Sequence, residues 1–200
     1  MRLDYNFYQK DAVSAAKNLL GKILVREFNG KKIMVRIVDT EAYMGAEDKA
    51  SHAYANKKTK RTETMFKKGG LAYIYLIYGI YYCFNIVTAE ENNPHAVLVR
   101  AVEPLQGLEI IRENRKIKSK KTEELTNGPG KLSQALKIDK NLNGCNLVKS
   151  NKLYLLDNDN KNEDIKIEAS SRVNIDYAEE YKDKKWRFYI KENKFVSKNN

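Results

Sequence analysis

Cysteine and histidine are scarce in this chain of 200 residues, with two of each. Cys83 and Cys145 stand alone, without the spacing of metal ligands, so a zinc site made of Cys pairs is excluded and two reduced thiols are expected. His52 and His95 do not make a His-rich metal site. No run of about 18 apolar residues exists, so no transmembrane helix is expected. The longest apolar stretch, around 71–87, is broken by Gly79 and Asn85. The start, Met1-Arg2-Leu3-Asp4-Tyr5, has no apolar signal core, and nothing suggests export.

What is abundant points elsewhere. The chain is 42% hydrophobic and 32% charged, ordinary for a soluble globular protein. A domain of this length hides roughly 70% of the surface its unfolded chain exposes, so a core can form without disulfides or metal. Lys plus Arg number 37 and Asp plus Glu 26, a net charge of +11. That excess argues for a polyanionic partner and says nothing of the fold. The 13 tyrosines suit stacking and phosphate contact, although Tyr is also a common strand residue.

Local patterns predict the element order. Asp11 caps a helix whose apolar residues recur at helical spacing, and Gly21 stops it. Residues 22–28 alternate as a strand. Asn29-Gly30 is a strong hairpin signal, because both residues tolerate positive φ, and the return strand runs from about Lys32 to Tyr43. Residues 44–70 form a long polar loop with short helical turns, and such loops are usually functional. Residues 71–77 and 80–88 form a hairpin around Tyr78-Gly79, and 96–102 is a further strand. A short helix follows at 107–114. Lys116-Ile117-Lys118-Ser119-Lys120-Lys121 reads as a solvated loop, with phosphate contact as the alternative. Asn127-Gly128-Pro129-Gly130 leads into a helix over 131–138. Residues from about 146 to 195 alternate like strands, most clearly Arg187-Phe188-Tyr189-Ile190. With no internal repeat and one composition regime, residues 1–200 are expected to form a single α+β domain. Its expected form is a curved, mostly antiparallel β-sheet with flanking helices and a protruding β-hairpin.

Several constellations could carry chemistry. Asp39, Glu41 and Tyr43 alternate at a strand end and share one face. A carboxylate beside an aromatic there could be a general base at a stacking platform, although the pentapeptide alone reads more simply as an exposed acid. His52, in the loop that follows, could bond a ligand's polar edge or satisfy a loop carbonyl. Tyr73 and Tyr75 share a face, and Tyr78 occupies the turn, where burial is difficult. An aromatic at a hairpin tip of a basic protein suggests a wedge between stacked bases; a structural aromatic hairpin is the plainer alternative. Asn85 lies in an apolar strand, where its amide needs a partner or a ligand. Arg100 interrupts Ala96-Val97-Leu98-Val99 and needs a carboxylate partner, for which Glu41 is a candidate. Gly128-Pro129-Gly130-Lys131 is no Walker A loop, but a Gly-rich turn at a helix N-terminus can meet a phosphate through backbone N–H groups.

In this order these pieces resemble the alkyladenine (3-methyladenine) DNA glycosylase family of the mammalian type, over nearly the whole chain. The resemblance is carried by Thr40-Glu41-Ala42-Tyr43, Glu47-Asp48-Lys49-Ala50-Ser51-His52, Tyr73-Ile74-Tyr75-Leu76-Ile77-Tyr78-Gly79 and Cys83-Phe84-Asn85. It continues through Leu98-Val99-Arg100-Ala101-Val102-Glu103-Pro104, Gly128-Pro129-Gly130-Lys131-Leu132, Arg172-Val173 and Trp186-Arg187-Phe188-Tyr189. Ala46, where the family often has Pro, departs from the pattern without touching the chemistry. The resemblance implies Glu41 as the base that activates water, with Arg100 and the Val173 carbonyl helping to hold that water. It implies Tyr43 beneath one face of a flipped base, His52 and Tyr75 on the other, and Asn85 rejecting the amino group of normal guanine. It implies Tyr78 as the wedge and Gly130 with Lys131 as backbone contacts. The partner would be double-stranded DNA containing damaged purines, met by a monomer in the cytoplasm beside the nucleoid. The implied enzyme is a monofunctional glycosylase, with no metal, no organic cofactor and no membrane. Two alternatives stay open: a non-enzymatic nucleic-acid binder, which would release no base, and a hydrolase of another N-ribosyl compound, which would act on free nucleosides.

Overall fold

The computed structural model describes residues 1–158 and 165–197. A short helix α1 (Tyr5–Tyr8) precedes α2 (Ala12–Leu19), which begins where the Asp11 side chain accepts from the Ser14 N–H at 2.9 Å. Ala12, Ala15, Ala16 and Leu19 form the buried stripe of α2, at the i, i+3, i+4, i+7 spacing of one helix face. Strand β1 (Ile23–Phe28) turns at Asn29-Gly30, whose φ values of 49° and 70° fit a primed turn, into β2 (Lys31–Tyr43).

After a long loop come β3 (Ala72–Ile77), β4 (Tyr81–Thr88) and β5 (His95–Gln106), then α3 (Leu108–Arg115) and α4 (Pro129–Ala135). Strands β6 (Leu153–Leu156), β7 (Ile167–Ser170) and β8 (Arg187–Ile190) complete the order. They form one curled sheet in the order β3-β4-β5-β2-β1-β6, with β8 pairing both β2 and β7. Every strand pairing among these is antiparallel. The chain is thus α+β, as the residues led us to expect.

Strand β2 organises the molecule. Its first half pairs with β1, its second half with β8, and β5 runs along its other edge. Register shifts at Ile37/Asp39 and Asp39/Thr40 mark an irregularity just before Glu41. Bulges bend a strand and re-aim its side chains, and they recur beside functional sites. Glu41 is therefore held in the middle of the sheet, between Leu98 of β5 and Arg187 of β8.

The 44–70 loop has a small core of its own. It contains 3-10 turns at Gly45–Glu47, Tyr54–Asn56 and Glu63–Phe66, and Ala53, Met65 and Phe66 pack with Tyr73, Val87 and Ala96. Asp48 ties the loop together by accepting from the Ala50 and Met44 N–H groups at 3.0 and 3.1 Å.

Three boundaries differ from expectation. The β3–β4 turn takes three residues, 78–80, because Tyr78 and Gly79 are both left-handed and Ile80 closes the turn by donating to the Ile77 carbonyl. Helix α4 starts two residues early, at Pro129, whose fixed φ and missing N–H suit the first helical position. The strand-like reading of 146–195 holds only for the short β6, β7 and β8. Residues 176–183 form 3-10 turns interrupted at Glu179, and 159–164 lie outside the described residues.

Candidate active site

The sheet's curl and the folded loop enclose a cleft of about 550 Å³. Strand β2 brings Glu41 and Tyr43 to it, β5 brings Arg100, β4 brings Cys83 and Asn85, and β3 brings Tyr73 and Tyr75. His52 comes from the loop, and Val173 from the segment after β7.

Three donors converge on the buried Glu41 carboxylate. Arg100 Nη1 and the Val173 N–H meet Oε1 at 3.0 and 2.8 Å, and the Tyr43 hydroxyl meets Oε2 at 3.0 Å. A fully buried carboxylate is costly unless paired and hydrogen-bonded, and this one is both. Burial, and then Glu41 itself, raises the Tyr43 pKa well above the usual phenol value, so the hydroxyl keeps its proton and donates. Burial opposes the charge of Arg100, but Glu41 and Asp39 outweigh it and raise its pKa above the usual guanidinium value.

Behind Arg100 a second buried carboxylate completes the balance. Asp39 accepts from Arg187 at 3.1 and 2.9 Å and from the Ser197 hydroxyl at 2.5 Å. Ser197 in turn accepts from Arg100 Nε at 3.1 Å. A third pair, Arg172 with Asp48, has no exposed side-chain surface on either partner. Arg172 also donates to the Ala42 carbonyl, and its guanidinium stacks 4.8 Å from the Tyr43 ring and 5.0 Å from that of Trp186. It fixes the back of the Tyr43 ring and places Val173, the next residue.

On the other side, His52 packs edge-to-face on Tyr75 with ring centroids 4.6 Å apart, and Tyr73 lies 5.5 Å from Tyr75. His52 Nδ1 is 2.9 Å from the Tyr73 hydroxyl. Burial, with a smaller push from Arg61, holds the His52 pKa down at about 4, so the ring is neutral at pH 7. The unfolded chain takes up a proton near pH 6.5 that the folded protein refuses until about pH 4. Stability from this residue is therefore present above pH 6.5 and is lost as the pH falls toward 4. The loss is at most about 3 kcal/mol, since each tenfold difference in proton affinity between the two states is worth about 1.4 kcal/mol. Urea unfolding at pH 7 and 4.5 checks this. His52→Gln should lose less stability on acidification than wild type, and equal losses would show that His52 titrates freely.

Asn85 donates to the Tyr73 carbonyl at 3.2 Å and lies on the cleft wall, 3% exposed. Tyr78, at the hairpin apex, is 75% exposed, and the neighbouring Ile80 is 69% exposed. Its φ of 53° is a conformation that bulky residues rarely adopt. Gly130 lies in the first turn of α4 at the cleft rim, where an added Cβ would come within 2.9 Å of the Tyr81 side chain. Lys131 Nζ bonds Asn127 Oδ1 at 2.7 Å.

The structure thus brings Glu41, Tyr43, His52, Tyr75, Asn85, Tyr78, Arg100, Val173, Gly130 and Lys131 around one cleft. The carboxylate partner expected for Arg100 is Glu41, with Asp39 at 3.8 Å as a second. At Val173 the amide N–H bonds Glu41, a contact separate from the carbonyl to which the resemblance gave the water. Sequence reasoning missed Arg61, which meets His52 at 3.3 Å, and Ser197 and Tyr177, which line the cleft. The first two lie in irregular segments, and only the excess of tyrosine hinted at the third. His95 serves structure, its Nδ1 accepting from the Ala12 N–H at 3.3 Å. Among the described residues no group of three His, Cys, Asp or Glu is placed to hold a metal ion, and no helix is long and apolar enough to cross a membrane.

Comparison with known proteins agrees with this geometry. The sequence model of the family described as Methylpurine-DNA glycosylase (MPG) matches residues 6–194. A protein of Natranaerobius thermophilus named "Putative 3-methyladenine DNA glycosylase" is 59% identical over 199 residues, covering all of both chains. A protein of the same name from Desulfitobacterium hafniense is 50% identical, over 98% of each chain. Another, from Clostridium perfringens, is 48% identical over 99% of this chain and 100% of its own. A match of this extent, on a fold that gathers the expected residues into one cleft, places the chain in the methylpurine-DNA glycosylase family, as a 3-methyladenine DNA glycosylase of DNA repair.

Proposed function

We propose that this glycosylase rotates alkylated and deaminated purines out of duplex DNA and hydrolyses their N-glycosidic bond with water activated by Glu41. The substrates in this reading are 3-methyladenine, 7-methylguanine, hypoxanthine and ethenoadenine. The observation that carries it is the buried carboxylate held by three donors at the edge of an aromatic cleft. Oε1 accepts two of those donors and Oε2 one, so Oε2 keeps an acceptor position for a water molecule. Glu41 takes a proton from that water as it attacks C1′ and the base departs with the bonding electrons. Arg100 and the Val173 amide hold the carboxylate, and the Val173 carbonyl orients the water.

The remaining roles follow from placement. Tyr43 lies under one face of the base, with His52 and Tyr75 over the other. A cationic alkylated purine between such rings gains about 0.5–2 kcal/mol of cation–π attraction. Asn85 narrows the cleft against the amino group of guanine. Gly130 and Lys131 meet the DNA backbone. Among the described residues Lys131 is the one lysine lining the cleft, and it bonds Asn127, so in this reading the reaction stops at an abasic site without strand cleavage. No metal or organic cofactor enters the scheme, and the enzyme works as a monomer on DNA in the cytoplasm.

A panel of duplexes with single lesions, scored for free base, tests this reading. Release from alkylated and deaminated purines, leaving intact strands, is expected; release from free nucleosides alone would point to another N-ribosyl substrate. Flipping costs a few kcal/mol, and Tyr78 offsets part of it by filling the gap. Stacking of a base on an aromatic is worth about 1–3 kcal/mol by alanine substitution, so Tyr78→Ala should weaken capture of the flipped state about 5- to 150-fold. Fluorescence of a base analogue reads this directly, and unchanged flipping would remove Tyr78 as the wedge.

A further inference from the structure

Arg61 lies in the turn before the 63–66 segment, exposed to solvent, and is not among the residues that line the cleft. Its guanidinium nevertheless engages the aromatic wall. Arg61 Nη2 is 3.3 Å from His52 Nε2, and its Cζ lies 5.0 Å from the centroid of the Tyr75 ring. It also bears on the Tyr73 hydroxyl. A guanidinium is a donor only, so His52 Nε2 must accept. A neutral imidazole then carries its proton on Nδ1 and donates to Tyr73. One exposed arginine thus fixes the tautomer of His52 and covers a face of Tyr75. No carboxylate among the described residues forms an ion pair with it, whereas the charge of Arg100 within the cleft is matched by Glu41.

We infer that Arg61 is a positioning residue that sets the balance between cationic and neutral bases in the cleft. The inference rests on the reading of Tyr75 and His52 as one wall of the base slot. An aromatic ring already drawn toward a guanidinium has less negative potential to offer a second cation. The fixed charge also repels a positively charged base lying against that wall. Arg61 therefore disfavours cationic purines relative to neutral ones, and removing its charge shifts the balance toward them.

Single-turnover release of 7-methylguanine, which is cationic in DNA, and of neutral hypoxanthine tests this. Arg61→Gln keeps a donor for His52 and removes the charge. The ratio of the two rates, 7-methylguanine over hypoxanthine, should rise about three- to tenfold. Arg61→Lys, which keeps the charge, should hold the ratio within about twofold of wild type. A ratio unmoved by Arg61→Gln, or both rates falling together, would overturn the inference. Wild type releasing neither base would instead sink the reading of the substrates, whatever Arg61 does. The tautomer is readable in the intact enzyme by nitrogen NMR of His52. A proton on Nδ1 at pH 7 is expected, and one on Nε2 contradicts the arrangement even if the variant fails to fold.

Discussion

Arg172→Ala is expected to lower the stability of the folded protein by about 3–5 kcal/mol, the usual cost of removing one partner of a buried ion pair. The pair with Asp48 is bidentate, and neither side chain has exposed surface. Removing Arg172 leaves a carboxylate stranded in the protein interior. It also frees the Ala42 carbonyl and opens the space between Tyr43 and Trp186. Against a total stability of about 5–15 kcal/mol for a typical domain, this is a large fraction. Urea unfolding of Arg172→Ala, Asp48→Ala and the double variant measures it. The double variant should lose clearly less than the sum of the singles, because the second substitution removes the charge that the first strands. A loss below about 1 kcal/mol for Arg172→Ala, typical of a surface pair, would contradict this account of the interior.

The second large effect is on catalysis. Glu41→Gln preserves shape and leaves an amide oxygen that can still accept from Arg100 and Val173. The Tyr43 hydroxyl can turn to accept from the new amide. The fold should survive, although Arg100 loses its closest counter-charge. What the variant cannot do is take a proton from water. Positioned proton transfer is worth about 10²–10⁴-fold, and the base-release step should slow by that factor. On the proposed reading base binding should be little changed, because the rings of Tyr43, His52 and Tyr75 that line the cleft stay in place.

Much of this site was legible in the residues, for physical reasons that can be named. Asn29-Gly30 announces its turn because few other pairs accept two positive φ values. Arg100 stands out because a charge inside Val and Leu demands a partner, and the alternation of β2 put Glu41 within reach. Tyr78 declared itself by being a large aromatic at a turn. Other features left no local trace. The register shifts around Asp39 depend on β2 serving β1 on one stretch and β8 on the next. The 44–70 loop shows only its short helical turns in the sequence, because much of its order comes from the pairing of Asp48 with Arg172, 124 residues away. Ser197, which pins both Arg100 and Asp39, gains its meaning only when the segment after β8 folds back on the sheet. Arg61 looks like any solvated charge until the loop folds it over Tyr75.

The most direct test of the account follows one lesion through both halves of the reaction. Ethenoadenine is fluorescent, so a duplex carrying it reports rotation out of the stack by its emission and chemistry by the free base released. Glu41→Gln should flip the lesion with an amplitude within about twofold of wild type while releasing base about 10²–10⁴-fold more slowly. Release at the wild-type rate would show that another group primes the water.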